Sequence, residues 1–114
     1  MKTAILEEKK SKFYGYAFEC LDDKEIKKQL DLLKKEHKKA THFCYAFRFT
    51  SPFSEKAVDD GEPSGTAGKP ILNVLQKKNL QNICVIVVRY FGGIKLGAGG
   101  LVRAYTKVTS QVLS

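Results

Sequence analysis

The segment Arg89 to Tyr105, RYFGGIKLGAGGLVRAY, sets three cations and five glycines between a run of strand formers and an amphipathic stretch. Gly97, Ala98, Gly99 and Gly100 lie immediately before that stretch, where the backbone N–H groups and positive dipole end of a helix converge, with Lys95 and Arg103 on either side. Glycine leaves those amides unshielded and accepts positive φ, so a ligand oxygen can approach closely. This is the chemistry of an anion site. It makes Arg89, Tyr90, Gly93, Lys95, Gly97, Gly99, Gly100, Arg103, Tyr105 and Lys107 candidate contacts for nucleic-acid or small-molecule phosphate, with Lys69 and Arg48 as further cations. Tyr90 and Tyr105 are read as exposed rings able to stack on bases.

A second group of reactive side chains lies in SPFSEKAVDDGEPSGTAGKP, residues 51–70, which holds every acid of the second half of the chain. Asp59, Asp60 and Glu62, with Thr66, would form a site with the glycine turn if the two segments faced each other, holding a proton or a hard cation beside a bound phosphate. The acids lack EF-hand spacing. GTAGKP fails as a phosphate-binding P-loop, because Pro63 and Pro70 occupy the positions of the required glycine and hydroxyl residue. His42 and Cys44, two apart on a strand, suggest a thiolate pair, yet no third orienting group accompanies them. No metal and no cofactor are expected.

Charge supports the anion reading. The formal net charge is +8, and after Glu62 the chain carries seven Lys or Arg and no Asp or Glu. A field of that sign attracts polyanions. With 114 residues and no Pro/Gly/Ser-rich linker, the chain has the size of one domain. No apolar run reaches the ~20 residues of a membrane span, and the start lacks a secretory signal, so the expectation is a soluble cytoplasmic protein with no membrane partner. Cys20, Cys44 and Cys84, odd in number and without CxxC spacing, read as reduced core thiols.

These groups need a scaffold. Residues 12–20 alternate as a strand, pairing with one near Thr3 to Glu8. Leu21, Asp22 and Glu25 predict a hydrophobic staple, N-cap and capping-box acid for a helix through Ile26, Leu30 and Leu33 to about Lys38. In residues 42–50, Phe43, Tyr45, Phe47 and Phe49 fall on one face, with His42, Cys44, Ala46, Arg48 and Thr50 on the other. Residues 51–70 read as one long ordered loop, and Pro70 opens a helix to about Lys78. Ile83 to Phe91 reads as a central strand covered on both faces, and with helices on one side only, its far face would meet a partner. Leu101, Ala104, Tyr105, Val108 and Val112 mark the last helix.

The motifs DDGEPSGTAGKPIL, RYFGGIKLGAGGLVRAY, KKSKF (Lys9 to Phe13) and ATHFCYAFR (Ala40 to Arg48) resemble those of the N-terminal domain of bacterial YigZ proteins, shared with eukaryotic IMPACT. The resemblance spans nearly the whole chain. It implies an α+β fold, a two-layer α/β domain with a mixed sheet and helices on one face, similar to domain 2 of a small-subunit ribosomal protein. It places the family pattern on Asp59, Asp60, Gly61, Glu62, Gly65, Thr66, Gly68 and Lys69, on the glycine segment from Arg89 to Tyr105, and on His42, Cys44 and Tyr45. Residues 1–114 correspond to that single domain, and the C-terminal ferredoxin-like domain usual in bacterial members has no counterpart in this sequence. The eukaryotic relative is a translational regulator that competes for a protein partner.

The favoured expectation is an RNA- or ribosome-binding module with a regulatory role in translation. The alternatives are a small-molecule phosphate enzyme built from the glycine turn and acidic loop, and a protein–protein regulator of translation.

Overall fold

A computed structural model describes all 114 residues. The elements, in chain order, are β1 (Lys2–Glu8), β2 (Ser11–Glu19), α1 (Asp23–Glu36), β3 (His42–Thr50), β4 (Phe53–Val58), α2 (Gly68–Lys77), β5 (Ile83–Tyr90) and α3 (Gly97–Val112). The strands form one sheet in the order β1-β2-β5-β3-β4. The α+β class holds, with every strand pair antiparallel rather than mixed.

Central β5 explains its own composition. Val85 and Val87 face one core with Phe13, Ala17, Cys44 and Ala46, against Ile71 and Leu75 of α2 and Leu101, Tyr105 and Val108 of α3. Ile86 and Val88 face the other, with Phe47, Phe49 and Cys84, against Ile26 and Leu33 of α1. Residues Val85 to Val88 are each 0 % exposed, and burying each side chain contributes about 1.5–3 kcal/mol. Helices therefore lie on both faces. The far side of β5, expected to await a partner, is covered by α1 of the same chain.

Local signals explain most boundaries. Asp22 Oδ1 accepts from the Glu25 amide at 3.0 Å and starts α1, while Leu21 is 75 % exposed, so the expected staple does not form. The expected 51–70 loop contains β4, paired with β3 from Thr50–Phe53 to Tyr45–Val58. As an edge strand, β4 leaves most of its residues exposed and shows no apolar alternation by which a sequence would betray it. Helix α2 starts at Gly68, before Pro70, because its first amides are capped from a distant residue, Asp59.

Candidate anion-binding site

Two tight turns meet at one end of the sheet. The β1–β2 hairpin turns through Lys9 and Lys10, both at positive φ (46° and 66°), a conformation two-residue hairpins usually give to Asn-Gly. At the end of β5, a Cβ on Gly92 would lie 2.0 Å from the Lys10 carbonyl oxygen, so only glycine lets the two turns touch. Ser11, fully buried between them, accepts through Oγ from the Gly92 amide at 3.3 Å and from Arg89 Nη2 at 3.2 Å.

Beneath the turns lies a buried polar network centred on Glu62, which is 7 % exposed. Arg89 Nη1 donates to both of its carboxylate oxygens, at 2.9 and 2.7 Å, and the Tyr105 hydroxyl donates to Oε2 at 2.5 Å. The Cys44 thiol donates to the Asp59 carbonyl at 3.0 Å and lies 3.4 Å from the Tyr105 hydroxyl. Burial pushes the Cys44 thiol up to about 12 and the Tyr105 phenol well above its ordinary range. Both stay protonated at neutral pH, so Cys44 lacks the character of a nucleophile. The rings of Phe13 and Phe91 stand 5.4 and 5.6 Å from the Arg89 guanidinium carbon. Within this packing Arg89 Nε has no acceptor.

His42 pairs with Arg89 across the sheet. Its Nδ1 lies 2.8 Å from the Asp60 carbonyl, which can only accept, so Nδ1 carries a proton. Nε2 is thereby turned toward Glu62 Oε1, at 3.4 Å.

The other acids of the loop are structural. Asp59 accepts from the amides of Gly65, Ala67 and Gly68 at 2.9, 3.1 and 2.9 Å. Burial alone would raise its carboxyl, but those amides outweigh it and hold the pKa below the ordinary value. Asp60 Oδ2 accepts from the Phe43 amide at 2.7 Å, and Thr66 Oγ1 donates to the Pro63 carbonyl at 2.5 Å. Glu62 alone of the three acids faces the glycine segment.

That facing is a cavity of about 380 Å³ between the Glu62–Pro63 loop and the start of α3, with His42, Arg89, Phe91, Lys95 and Gly97 among its walls. Gly97 has a φ of 76°, and Gly97 to Gly100 form the first turn of α3 rather than preceding it. The turn has no side-chain cap and no acid, so its leading amides keep their hydrogen-bonding capacity beside Lys95. Next to it, a smaller groove of about 270 Å³ has Glu8, Lys9, Gly100, Arg103 and Lys107 among its lining residues. Arg103 and Lys107, four apart on α3, are exposed, and Lys107 lies 3.8 Å from Glu8.

Several sequence-based candidates sit elsewhere. Tyr105, expected as an exposed ring, is 0 % exposed and belongs to the core, so it cannot stack on a base. Tyr90 turns to the opposite face of the sheet, where its hydroxyl bonds His37 Nδ1 at 2.6 Å. Arg48 binds Glu55 at 2.7 Å and pairs with Ile83, six residues along β5 from Arg89, or roughly 20 Å away. Lys69, exposed in the first turn of α2, lines neither hollow, and Gly93 lies in the loop before Lys95 at positive φ. Reading by residue type missed Ser11, Lys9, Lys10 and Phe91. The KKSKF motif held the first three, but nothing local told that a hairpin tip at one end of the chain meets a glycine turn at the other.

Comparison with known proteins gives consistent results. Residues 9–113 match the profile described as the Impact N-terminal domain. The IMPACT family member YvyE of Bacillus subtilis is 48 % identical over 106 residues, covering 92 % of this chain and 49 % of that protein. The crystal structure of a hypothetical protein superposes with a TM-score of 0.93 at 39 % identity, over 98 % of this chain and 56 % of that one. The two-domain translational regulator Yih1 shares the fold at 22 % identity with a TM-score of 0.63, over 97 % of this chain and 46 % of that one. The chain spans about half the length of the relatives it matches. No helix is long and apolar enough to cross a membrane.

Proposed function

The chain belongs to the Impact N-terminal domain family, and from that premise we propose that it is a translation-linked RNA-binding module whose phosphate-contacting surface is the edge around the start of α3. One observation carries this reading. Lys9, Lys10, Lys95, Arg103 and Lys107, all exposed, come from three separate segments that the fold gathers at one end of the sheet, while Glu62, the acid nearest the cavity, is buried against Arg89 and Tyr105. Cations clustered in excess of the acids beside them, with Glu62 turned inward and Glu8 lying next to Lys107, form the electrostatic footprint of a phosphate-binding face.

The translational part of the reading is supported by Yih1, which shares the fold and is described as a translational regulator. Phe91 and Ile94, exposed at 47 % and 43 %, flank the cations and offer apolar surface for a base.

Fluorescence anisotropy of labelled structured and single-stranded RNA tests the proposal. The expected result is binding with a Kd on the order of micromolar near physiological salt, the upper range of sequence-independent contacts. No binding at low salt overturns it and leaves a protein partner as the reading to pursue.

A further inference from the structure

We infer that the cavity between the Glu62–Pro63 loop and α3 is a receptor for a single nucleotide bearing a phosphate monoester. The inference deepens the RNA-binding reading and rests on it for the identity of the polymer, though not for the cavity chemistry.

Three observations converge on the same space. The uncapped first turn of the 16-residue helix α3 brings its amides to the cavity wall beside Lys95, an arrangement that suits a dianion. Independently, Arg89 lines the cavity at 4 % exposure with an Nε that no protein acceptor satisfies, and buried guanidinium donors are rarely left so. The third is His42. Its Nδ1 faces the Asp60 carbonyl, and its Nε2 stands 3.4 Å from Glu62 Oε1 at the cavity wall. The carboxylate is an acceptor at that wall and matches a ligand that donates, as a ribose hydroxyl does.

Phosphate at one wall and a hydroxyl donor at another describe a sugar phosphate, and Phe91 at the rim adds a surface for a base. A volume of about 380 Å³ lies at the small end of ligand pockets, enough for one nucleotide and not for a run of them. The monoester is therefore a free nucleoside monophosphate or the phosphorylated end of an RNA.

The two sources separate in one experiment. The whole chain is titrated with adenosine 5′-monophosphate, with adenosine, and with an internally labelled RNA oligonucleotide carrying 5′-phosphate, 3′-phosphate or hydroxyls at both ends. Amide resonances of Gly97, Gly99 and Gly100 are followed by NMR. The expected result is that a terminal phosphate tightens oligonucleotide binding at least tenfold, that the mononucleotide but not adenosine shifts those glycine amides, and that Lys95→Ala weakens both effects at least fivefold. Mononucleotide binding without RNA binding supports the cavity and assigns it a free nucleotide, while removing the RNA reading. Equal binding of phosphorylated and hydroxyl-ended RNA, with glycine amides unmoved by the mononucleotide, overturns the cavity inference and leaves the RNA reading standing. Failure of every probe overturns both.

Discussion

Arg89 Nη1 lies 2.7 Å from Glu62 Oε2, joining the central strand to a loop 27 residues earlier through an ion pair whose side chains are 5 % and 3 % exposed. Neither charge has water to fall back on. Arg89→Ala or Glu62→Ala alone should each destabilise the chain by about 3–5 kcal/mol, because each leaves an uncompensated buried charge. The double variant should cost less than the sum. Urea unfolding reads all three, and single-variant losses below about 1 kcal/mol, the range of an exposed pair, would contradict the account.

Tyr105 reaches the same carboxylate from α3. Tyr105→Phe keeps the ring and removes the donor, at an expected cost of about 1–3 kcal/mol for the altered buried acceptor. Its phenol, pushed up by burial and by the neighbouring thiol and carboxylate, should not ionise while the chain is folded. An ultraviolet titration should count more phenolates after alkaline unfolding than before it, and the difference should fall by one in the Phe variant.

Asp59 makes stability depend on acid. Its folded pKa lies below the ordinary 3.8, so its contribution is fully present above that value and is lost as pH falls through the folded pKa. Asp59→Asn should therefore flatten the decline of stability below about pH 4 while lowering stability at neutral pH by about 1–2 kcal/mol, the scale of a lost helix cap. Unchanged slopes in paired urea series at pH 7 and pH 3 would remove Asp59 from this role.

Gly92→Ala forces a methyl into the Lys10 carbonyl and must open the contact between the two turns. The variant should lose about 1–3 kcal/mol as an overpacked site, and the amide resonances of Lys9 to Ser11 should shift although they are some 80 residues away in sequence. An unperturbed hairpin would mean that the two turns are not in contact.

What could be read in advance followed the length scale of the signal. The α1 cap, the alternation in β3 and the apolar run of β5 are written within a few residues each, and they stand in the structure. The glycine segment likewise announced a helix start, which the structure places at Gly97. Lost were the features that depend on distant partners: α2 begins early because Asp59 caps it, β4 is held by β3 rather than by its own pattern, and Tyr105 is buried because Glu62 and Phe13 surround it. The expected meeting of the acidic loop with the glycine turn occurs through Glu62 alone, since Asp59 and Asp60 are engaged by backbone amides.

The central claim is that phosphates bind at the start of α3, and the salt dependence of RNA affinity tests it most directly. For a single-stranded oligonucleotide, the slope of log affinity against log salt is about −0.7 per neutralised phosphate. Lys95→Ala/Arg103→Ala, both at exposed positions, should weaken binding and make the slope shallower by about 1.4 while leaving the unfolding curve unchanged. An unaltered slope and affinity in the double variant would place the RNA elsewhere on the molecule and contradict the account.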